Sequence, residues 1–147
     1  MTFDESCIFC KIVRKQIPAS IIYENETVMA FLDIRPLNEG HTLVIPKKHY
    51  VDIFDTPEDQ LSKVHTAAKL VSIAVKKATN AEGISIIQQN GKAAGQEIFH
   101  FHVHVVPRFE EQKLPSFTAL KEVERVKLDG MAKKIKQQLK NLNCVDL

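Results

Sequence analysis

The sequence lacks the features that mark several large classes of proteins. No apolar run approaches the roughly 20 residues that a membrane span needs. The first residues are acidic, at Asp4 and Glu5, and have neither the basic start nor the apolar stretch of a signal peptide. Three cysteines in 147 residues are too few for a disulfide framework. We therefore expect a cytoplasmic protein that makes no contact with membranes.

An excess of charge of one sign is also missing. The chain has 20 Lys and Arg against 18 Asp and Glu, and its net charge is +2. Its densest basic stretch, at 133–136, is interpreted as the solvated face of a helix. A concentrated basic surface of the kind that binds nucleic acid is absent. We expect no nucleic-acid partner, and a length of 147 residues fits one domain over 1–147.

Apolar periodicity predicts an α+β fold with a mostly antiparallel sheet of about five strands. A long helix is expected after Thr56, which would cap it, with Pro57 at its first position. A C-terminal helix is expected at about 120–142, and a short helix at 10–15. The predicted strands cover 21–24, 28–33, 42–45, 84–89 and 98–106.

The segment 99–106 alternates histidine with apolar residues. In a strand, His100, His102 and His104 would share one face, and the apolar residues would pack against helices on the other. The weakest interpretation is that the three imidazoles only pair with water or backbone, because imidazoles side by side each need a partner. Two alternatives remain: a zinc site with three histidine ligands, or one nucleophilic histidine that its neighbours orient.

The loop before this segment, 89–96, is suited to a ligand. Its glycines allow a ligand to approach the backbone closely, and its amides suit phosphate or ribose oxygens. Glu97 is a poor metal ligand, because it would point away from His100 if the strand has already begun there.

Cys7 and Cys10 are separated by two residues, a spacing that can supply two thiolates to one metal ion. A redox pair of this kind normally follows a strand, and none is predicted before Cys7. A metal site, a redox pair and inert thiols all remain open from the spacing alone.

Four segments together resemble the histidine triad family, particularly its Hint-like and bacterial–archaeal branch. They are His-Phe-His-Val-His-Val-Val at 100–106, Ala-Gly-Gln at 94–96, the segment 40–49 from Gly-His to Pro-Lys-Lys-His, and Cys-Ile-Phe-Cys-Lys-Ile-Val at 7–13. The resemblance covers 7–108. Residues 109–147 form a C-terminal extension that carries no motif beyond the predicted helix.

The resemblance implies a nucleotide-binding hydrolase or transferase that acts on the α-phosphate of nucleoside phosphoramidates or dinucleoside polyphosphates. His102 would form a nucleotidyl-histidine intermediate, held by the main-chain carbonyl of His100. His104 would hold the phosphate, Gln96 would bind near the leaving group, and His41 would support the site.

The same resemblance implies a purine nucleotide substrate of the AMP type. Asp33 would bind the ribose hydroxyls, with Ile34 beside it. Asn90, or Gln89 if the loop lengths differ, would supply a further amide contact. The slot for the base would be formed by Ile8, Phe9, Ile12 and Phe31.

Family members with the cysteine pair resemble zinc proteins. The implied structural zinc would be held by Cys7, Cys10, His49 and His100 and would not be needed for the chemistry. A homodimer joined through the sheet and the long helix is also implied. Glu97 stands where the family often has Ser or Thr, which affects the expected leaving group. A zinc-dependent hydrolase and a nucleotide-binding regulatory module with little turnover are the alternative functions.

Overall fold

The computed structural model describes residues 3–142 and has a five-stranded antiparallel sheet at its centre, with strand order β1-β2-β3-β5-β4. This confirms the expected α+β class. The strands are β1 (Ile21–Glu24), β2 (Val28–Leu32), β3 (Thr42–Pro46), β4 (Gly83–Ile87) and β5 (Val103–Arg108). The helices are α1 (Ile8–Val13), α2 (Glu58–Thr79) and α3 (Arg125–Asn141), and single 3₁₀ turns lie at Lys92–Ala94 and Phe117–Ala119.

Both faces of the sheet are covered, because the buried strands carry apolar side chains on both sides. The face toward α2 and α3 includes Val28, Ala30 and Leu32 of β2. The face toward α1 includes Met29 and Phe31 of the same strand. Every residue of β2 is therefore buried, although its side chains alternate between two cores.

The α1 face of the sheet carries the residues of chemical interest. On β5, Val103 and Val105 belong to the core against α2. His104 therefore points the other way, opposite Leu43 of β3, which lies in the core against α1. Any site built on His104 is consequently enclosed by α1 and by the loops on that face.

Helix α3 packs into the same core as α2. Its Leu128, Ala132 and Ile135 are buried, and full burial of a Leu or Ile side chain contributes roughly 1.5–3 kcal/mol. Polar contacts fix its position along the sheet, since Ser20 donates a hydrogen bond to Asp129 and accepts one from Arg125. No helix among residues 3–142 is long and apolar enough to cross a bilayer.

The prediction of a strand over 98–106 is wrong at its start. Pairing begins only at Val103 and continues through Arg108. The register of β3 and β5 would place Pro46 opposite Phe101, and proline has no N–H to donate to the ladder. The Phe101 N–H bonds instead to the Tyr50 carbonyl at 2.7 Å. His100 and His102 thus precede the strand. Phe99, predicted to pack against helices, is 46% exposed.

Three helix boundaries also differ from the prediction. Thr56 does not cap α2: Pro57 holds the N-cap position, and the Thr56 hydroxyl donates to the Asp52 carbonyl instead. Helix α1 begins earlier than predicted, because the Cys7 sulfur accepts the Cys10 N–H and caps it. Helix α3 begins later, after the 3₁₀ turn Phe117–Ala119.

Candidate active site

The main chain fixes the orientation of His102. Its Nδ1 lies 2.7 Å from the His100 carbonyl oxygen, and the side chain is only 8% exposed. A carbonyl can only accept a hydrogen bond, so Nδ1 carries the proton. The Nε2 atom of neutral His102 is therefore left with a free lone pair.

A second backbone group fixes His41 and His104. The Leu37 N–H donates to His41 Nδ1 at 2.9 Å, so the proton of His41 lies on Nε2. His41 Nε2 is 2.9 Å from His104 Nδ1 and donates to it. The proton of His104 therefore lies on its own Nε2. Leu37, His41 and His104 thus form a chain of hydrogen bonds, which we call the relay. Because of it, one main-chain N–H leaves His104 with a hydrogen-bond donor at Nε2.

The two fixed rings lie side by side. The ring centroids of His102 and His104 are 4.9 Å apart. One ring offers an electron pair and the other an N–H. This pairing suits attack on phosphorus with stabilisation of the charge that develops on its oxygens.

Burial keeps these imidazoles neutral. Loss of hydration lowers the pKa of His41 and of His104 to about 3, with neighbouring histidines adding to the shift. Burial also lowers the pKa of His102, against the opposing effect of its bond to the His100 carbonyl. At pH 7 the Nε2 atom of His102 is consequently available as a nucleophile.

Asp33 follows β2 and lies beside the relay. Its Oδ1 accepts the Arg35 N–H at 2.9 Å, and its Oδ2 is 3.6 Å from His41 Nε2. Burial raises the pKa of Asp33 to about 6, and the Glu97 carboxylate adds to this shift. At pH 7 Asp33 is mostly ionised, and its Oδ2 can accept hydrogen bonds from a ligand.

The amides of the loop 89–96 are used unequally. Gln96 is buried; it accepts the Gly91 N–H and donates to the carbonyls of Val51 and Ile98. It thus positions the loop, and the expected contact with a leaving group stays a prediction. Asn90 is likewise engaged, by the Ile53 N–H and the Gln88 amide.

Gln89 is the loop amide that remains for a ligand. Its side chain makes no hydrogen bond to another residue in the range 3–142 and lies over Gly95. A Cβ at Gly95 would come within 2.6 Å of the Gln89 amide nitrogen. Gly91, by contrast, has φ +92 and open space around it, so a ligand can approach its backbone.

The expected slot for the base is partly assembled. The Phe9 ring lies 5.3 Å from both Phe31 and His102, and Ile12 belongs to the same buried cluster. Ile8 is 45% exposed and lies outside that cluster. Ile34, beside Asp33, is 37% exposed. Phe9 therefore links the expected base-binding residues to His102.

Cys7, Cys10, His49 and His100 bring their ligand atoms within 4.8 Å of one another. The Nδ1 atoms of His49 and His100 are 3.3 Å apart. Their contacts with the two sulfurs measure 3.3, 3.4 and 3.6 Å. Tetrahedral zinc bonds imply about 3.3 Å between nitrogens and about 3.6 Å between nitrogen and sulfur. The donor set and its spacing fit a closed zinc site.

A main-chain contact orients His100 as a possible metal ligand. His100 Nε2 donates to the Pro46 carbonyl at 2.8 Å, which leaves Nδ1 as a ligand. Burial raises the pKa of the Cys7 thiol to about 11, so metal binding has to displace a proton.

Asp33, His41 and His104 form a second group of side chains of the kinds that bind metal ions. The positions of the protons on the two rings do not suit a metal ion, however. His41 Nε2 would need a lone pair, which would move the proton to Nδ1 against the Leu37 N–H. The three histidines 100, 102 and 104 do not converge either, since His100 Nδ1 faces the cysteines and His104 Nδ1 faces His41.

Sequence reasoning missed the groups that orient the imidazoles and one aromatic neighbour. The Leu37 N–H and the Pro46 carbonyl are main-chain groups, and no residue type signals their role. The Phe117 ring lies 5.7 Å from His104. It comes from the extension, where no motif drew attention to it.

We expect stability to fall in mild acid because of His41 and His104. Their pKa values rise from about 3 in the folded chain to roughly 6.5 when it unfolds. The unfolded chain therefore binds more protons between these values, and stability present above pH 6.5 is lost as the pH falls. Asp33, with its raised pKa, offsets one of these protons below pH 6. His100 and His102, whose pKa values burial also lowers, add to the uptake. The free energy of unfolding should fall between about pH 6 and pH 4, by about 1.4 kcal/mol per pH unit for each net proton taken up.

Urea unfolding from pH 7 to pH 4 measures this slope. His41→Asn should flatten it by about 1.4 kcal/mol per pH unit, because one fewer proton is taken up on unfolding. His65→Asn, at an exposed position of α2, is the control for losing a histidine. Equal slopes for wild type and His41→Asn would contradict the buried neutral relay.

The chain matches the family model named HIT domain over residues 14–111. It is 45% identical to an uncharacterized HIT-like protein of Methanocaldococcus jannaschii, over 88% of this chain and 98% of that protein. It is 37% identical to the adenylylsulfatase HINT3 of Arabidopsis thaliana, over 91% of this chain and 68% of that one. It is 40% identical to the adenosine 5′-monophosphoramidase HNT1 of Saccharomyces cerevisiae, over 76% and 68%.

Solved structures agree with these sequence matches. A HIT-like protein of Bartonella henselae superposes with a TM-score of 0.87 at 38% identity, covering 94% of this chain and 99% of that one. A zinc-bound histidine triad family protein of Mycobacterium smegmatis gives 0.83 at 39% identity, covering 92% and 94%. The family model, the relatives and the shared fold agree, and the chain belongs to the HIT family.

Proposed function

We propose that this protein is a nucleotidyl hydrolase or transferase that uses His102 as its nucleophile. The observation that carries the proposal is the pairing of two rings held by main-chain groups. His102 offers a lone pair on Nε2 because its Nδ1–H donates to the His100 carbonyl. His104 offers an N–H because His41 donates to its other nitrogen. These contacts fix which nitrogen of each ring carries the proton.

The proposed reaction has two steps. His102 Nε2 attacks the α-phosphorus, an N–P bond forms, and the bond to the leaving group breaks with its electron pair. The resulting positively charged ring keeps its Nδ1 proton, which stays hydrogen-bonded to the His100 carbonyl. Water then attacks phosphorus and releases a proton, which balances the proton taken up by the departed group. The N–P bond breaks with its electron pair returning to His102 Nε2, and the nucleoside monophosphate leaves. Transfer to an acceptor other than water follows the same second step.

We propose a purine ribonucleotide of the AMP type as the substrate moiety. The names of the plant and yeast relatives, an adenylylsulfatase and an AMP phosphoramidase, both concern an adenylyl group. Asp33 Oδ2 would accept from the ribose hydroxyls, since Oδ1 is engaged by the Arg35 N–H. Phe9 and Phe31, whose rings contact each other, would line the base. Gln89 is the better candidate for the further amide contact, because the Asn90 amide is engaged.

The leaving group is where this chain departs from the family's usual pattern. Glu97 is exposed and lies near enough to Asp33 to raise its pKa. A carboxylate in this place disfavours anionic leaving groups through like-charge repulsion. An amine leaving group, as in a nucleoside phosphoramidate, is therefore favoured over a polyphosphate.

The two alternative functions have less support. A catalytic zinc held by the three histidines requires rings that converge, whereas His100 and His104 face different partners. A regulatory module with little turnover needs nucleotide binding alone. Such a module gains nothing from the fixed lone pair of His102, so we favour catalysis.

We further propose that Cys7, Cys10, His49 and His100 hold a structural zinc. The ligand set is closed and tetrahedral in its spacing, as in structural rather than catalytic sites. Zinc when bound would cross-link the N-terminal segment to the residues before β5. The Phe9 ring, between the two cysteines in sequence, would be held against His102.

We also propose that the protein forms a homodimer and that residues 1–147 form a single domain. Strand β4 is an edge of the sheet and exposes 47% of Ile86, which makes it available for pairing with another copy. Leu128 and Ile135 of α3 share one core with α2, so the extension folds with the rest. The cytoplasmic location stays a prediction.

His102→Ala should abolish turnover of an AMP phosphoramidate, because the covalent route is lost. The protein should stay folded and still bind AMP. Mass spectrometry of wild type quenched in alkali during turnover should show an adenylyl adduct on His102. His65→Ala is the control. Turnover of His102→Ala near the wild-type rate would refute the nucleophile.

Asp33→Asn should weaken AMP binding by roughly 10- to 100-fold, because hydrogen bonds to a charged acceptor contribute about 1.5–3 kcal/mol. Asparagine keeps an oxygen for the Arg35 N–H, so the loop is preserved. Calorimetric titration with AMP and with its 2′,3′-dideoxy analogue separates the contribution of the ribose hydroxyls from that of the rest of the nucleotide. An equal loss for both ligands would mean that Asp33 does not bind ribose.

Cys7→Ser combined with Cys10→Ser should lower the melting temperature and the affinity for nucleotide. The physical reason is that zinc binding adds to folding stability and positions Phe9. The rate at saturating substrate should change much less. Cys144→Ser, at the third cysteine, is the control.

Elemental analysis and calorimetry of both variants test this expectation. Wild type purified without chelator and containing no zinc would refute the structural metal. Loss of the chemical step on zinc removal, with the fold intact, would instead favour the zinc-dependent alternative.

A further inference from the structure

Residues 112–123, which we call the strap, pass beside His104 and are held by hydrogen bonds at both ends. At one end, Gln112 and Asn38 exchange side-chain hydrogen bonds of 2.8 and 3.1 Å. At the other, the Val123 N–H donates to the Ile34 carbonyl at 2.8 Å. Asn38 and Ile34 both belong to the loop that joins β2 to β3 and also carries Asp33. The strap is therefore attached to a loop of the site itself.

Between its anchors, the strap places one aromatic ring against the relay. Phe117 opens the 3₁₀ turn Phe117–Ala119, which is closed by the bond from the Ala119 N–H to the Ser116 carbonyl. Its ring meets His104 edge to face, at 5.7 Å and 66°. Phe117 is 38% exposed, so part of the ring remains available to a ligand. It lies beyond the residues matched by the family model.

The ring adds apolar surface but no charge to the wall next to His104. A phenyl ring has no charge with which to neutralise a polyphosphate. An apolar or aromatic group attached to phosphorus would instead gain contact with the exposed part of the ring and lose water.

We propose that Phe117 is a specificity residue that favours substrates whose leaving group carries an aromatic or apolar body close to phosphorus. This inference rests on the proposed function, because it assumes that His104 holds the phosphate under attack. Phe117 does not take part in the chemistry. It determines which leaving group binds well next to the phosphate.

The test compares two AMP phosphoramidates, one with benzylamine and one with methylamine as leaving group. Both amines are primary and alkyl, so the aromatic body is the main difference. Phe117→Ala should lower kcat/KM for the benzylamine substrate about tenfold, in line with the loss of an aromatic contact. It should change kcat/KM for the methylamine substrate less than threefold. Phe117→Leu should recover part of the loss, since leucine restores apolar contact.

Val126→Ala is the matched control, because it also removes apolar surface from the extension, at a position 80% exposed. It should leave the ratio of the two kcat/KM values unchanged. An unchanged ratio in Phe117→Ala, or an equal loss on both substrates, overturns the inference while leaving the proposed function intact. If wild type hydrolyses neither substrate and forms no adduct on His102, the proposed function fails and the inference fails with it.

Discussion

The chemistry of this site depends on main-chain groups that determine where each imidazole carries its proton. The Leu37 N–H, the His100 carbonyl and the Pro46 carbonyl each contact one ring nitrogen. A neutral histidine has one donor and one acceptor nitrogen, so a single fixed contact decides both. The backbone moves less than a side chain, and the rings are held ready before any ligand arrives. Such preorganisation is the usual source of electrostatic stabilisation in enzymes.

Burial is what makes this arrangement possible, and it carries a cost. In water an imidazole is partly charged near pH 6.5, and a protonated His102 would be no nucleophile. Removing water keeps the rings neutral, because the interior disfavours the charged form. The same burial raises the pKa of Asp33 toward neutrality. One environment thus makes Asp33 easier to protonate while it keeps His102 neutral.

The fold and much of the site could be predicted because they depend on local patterns. Five strands and the two long helices follow from apolar periodicity, and the histidine spacing identifies the residues of interest. The start of β5 was predicted wrongly because alternation shows only that a segment is extended. Whether it pairs depends on the facing strand, where Pro46 ends the ladder. The strap and Phe117 could not be predicted, since contacts between distant segments leave no spacing in the sequence.

His100 performs two tasks with different parts of one residue. Its ring faces the cysteines and His49, while its carbonyl holds His102. Any amino acid supplies a carbonyl, so the chemistry places no demand on the side chain at this position. The ring matters for the proposed zinc and for the contact with the Pro46 carbonyl. A change of side chain at position 100 would therefore remove one ligand of the proposed zinc and still leave a carbonyl beside His102. One residue thus joins the proposed metal site to the proposed nucleophile through its main chain alone.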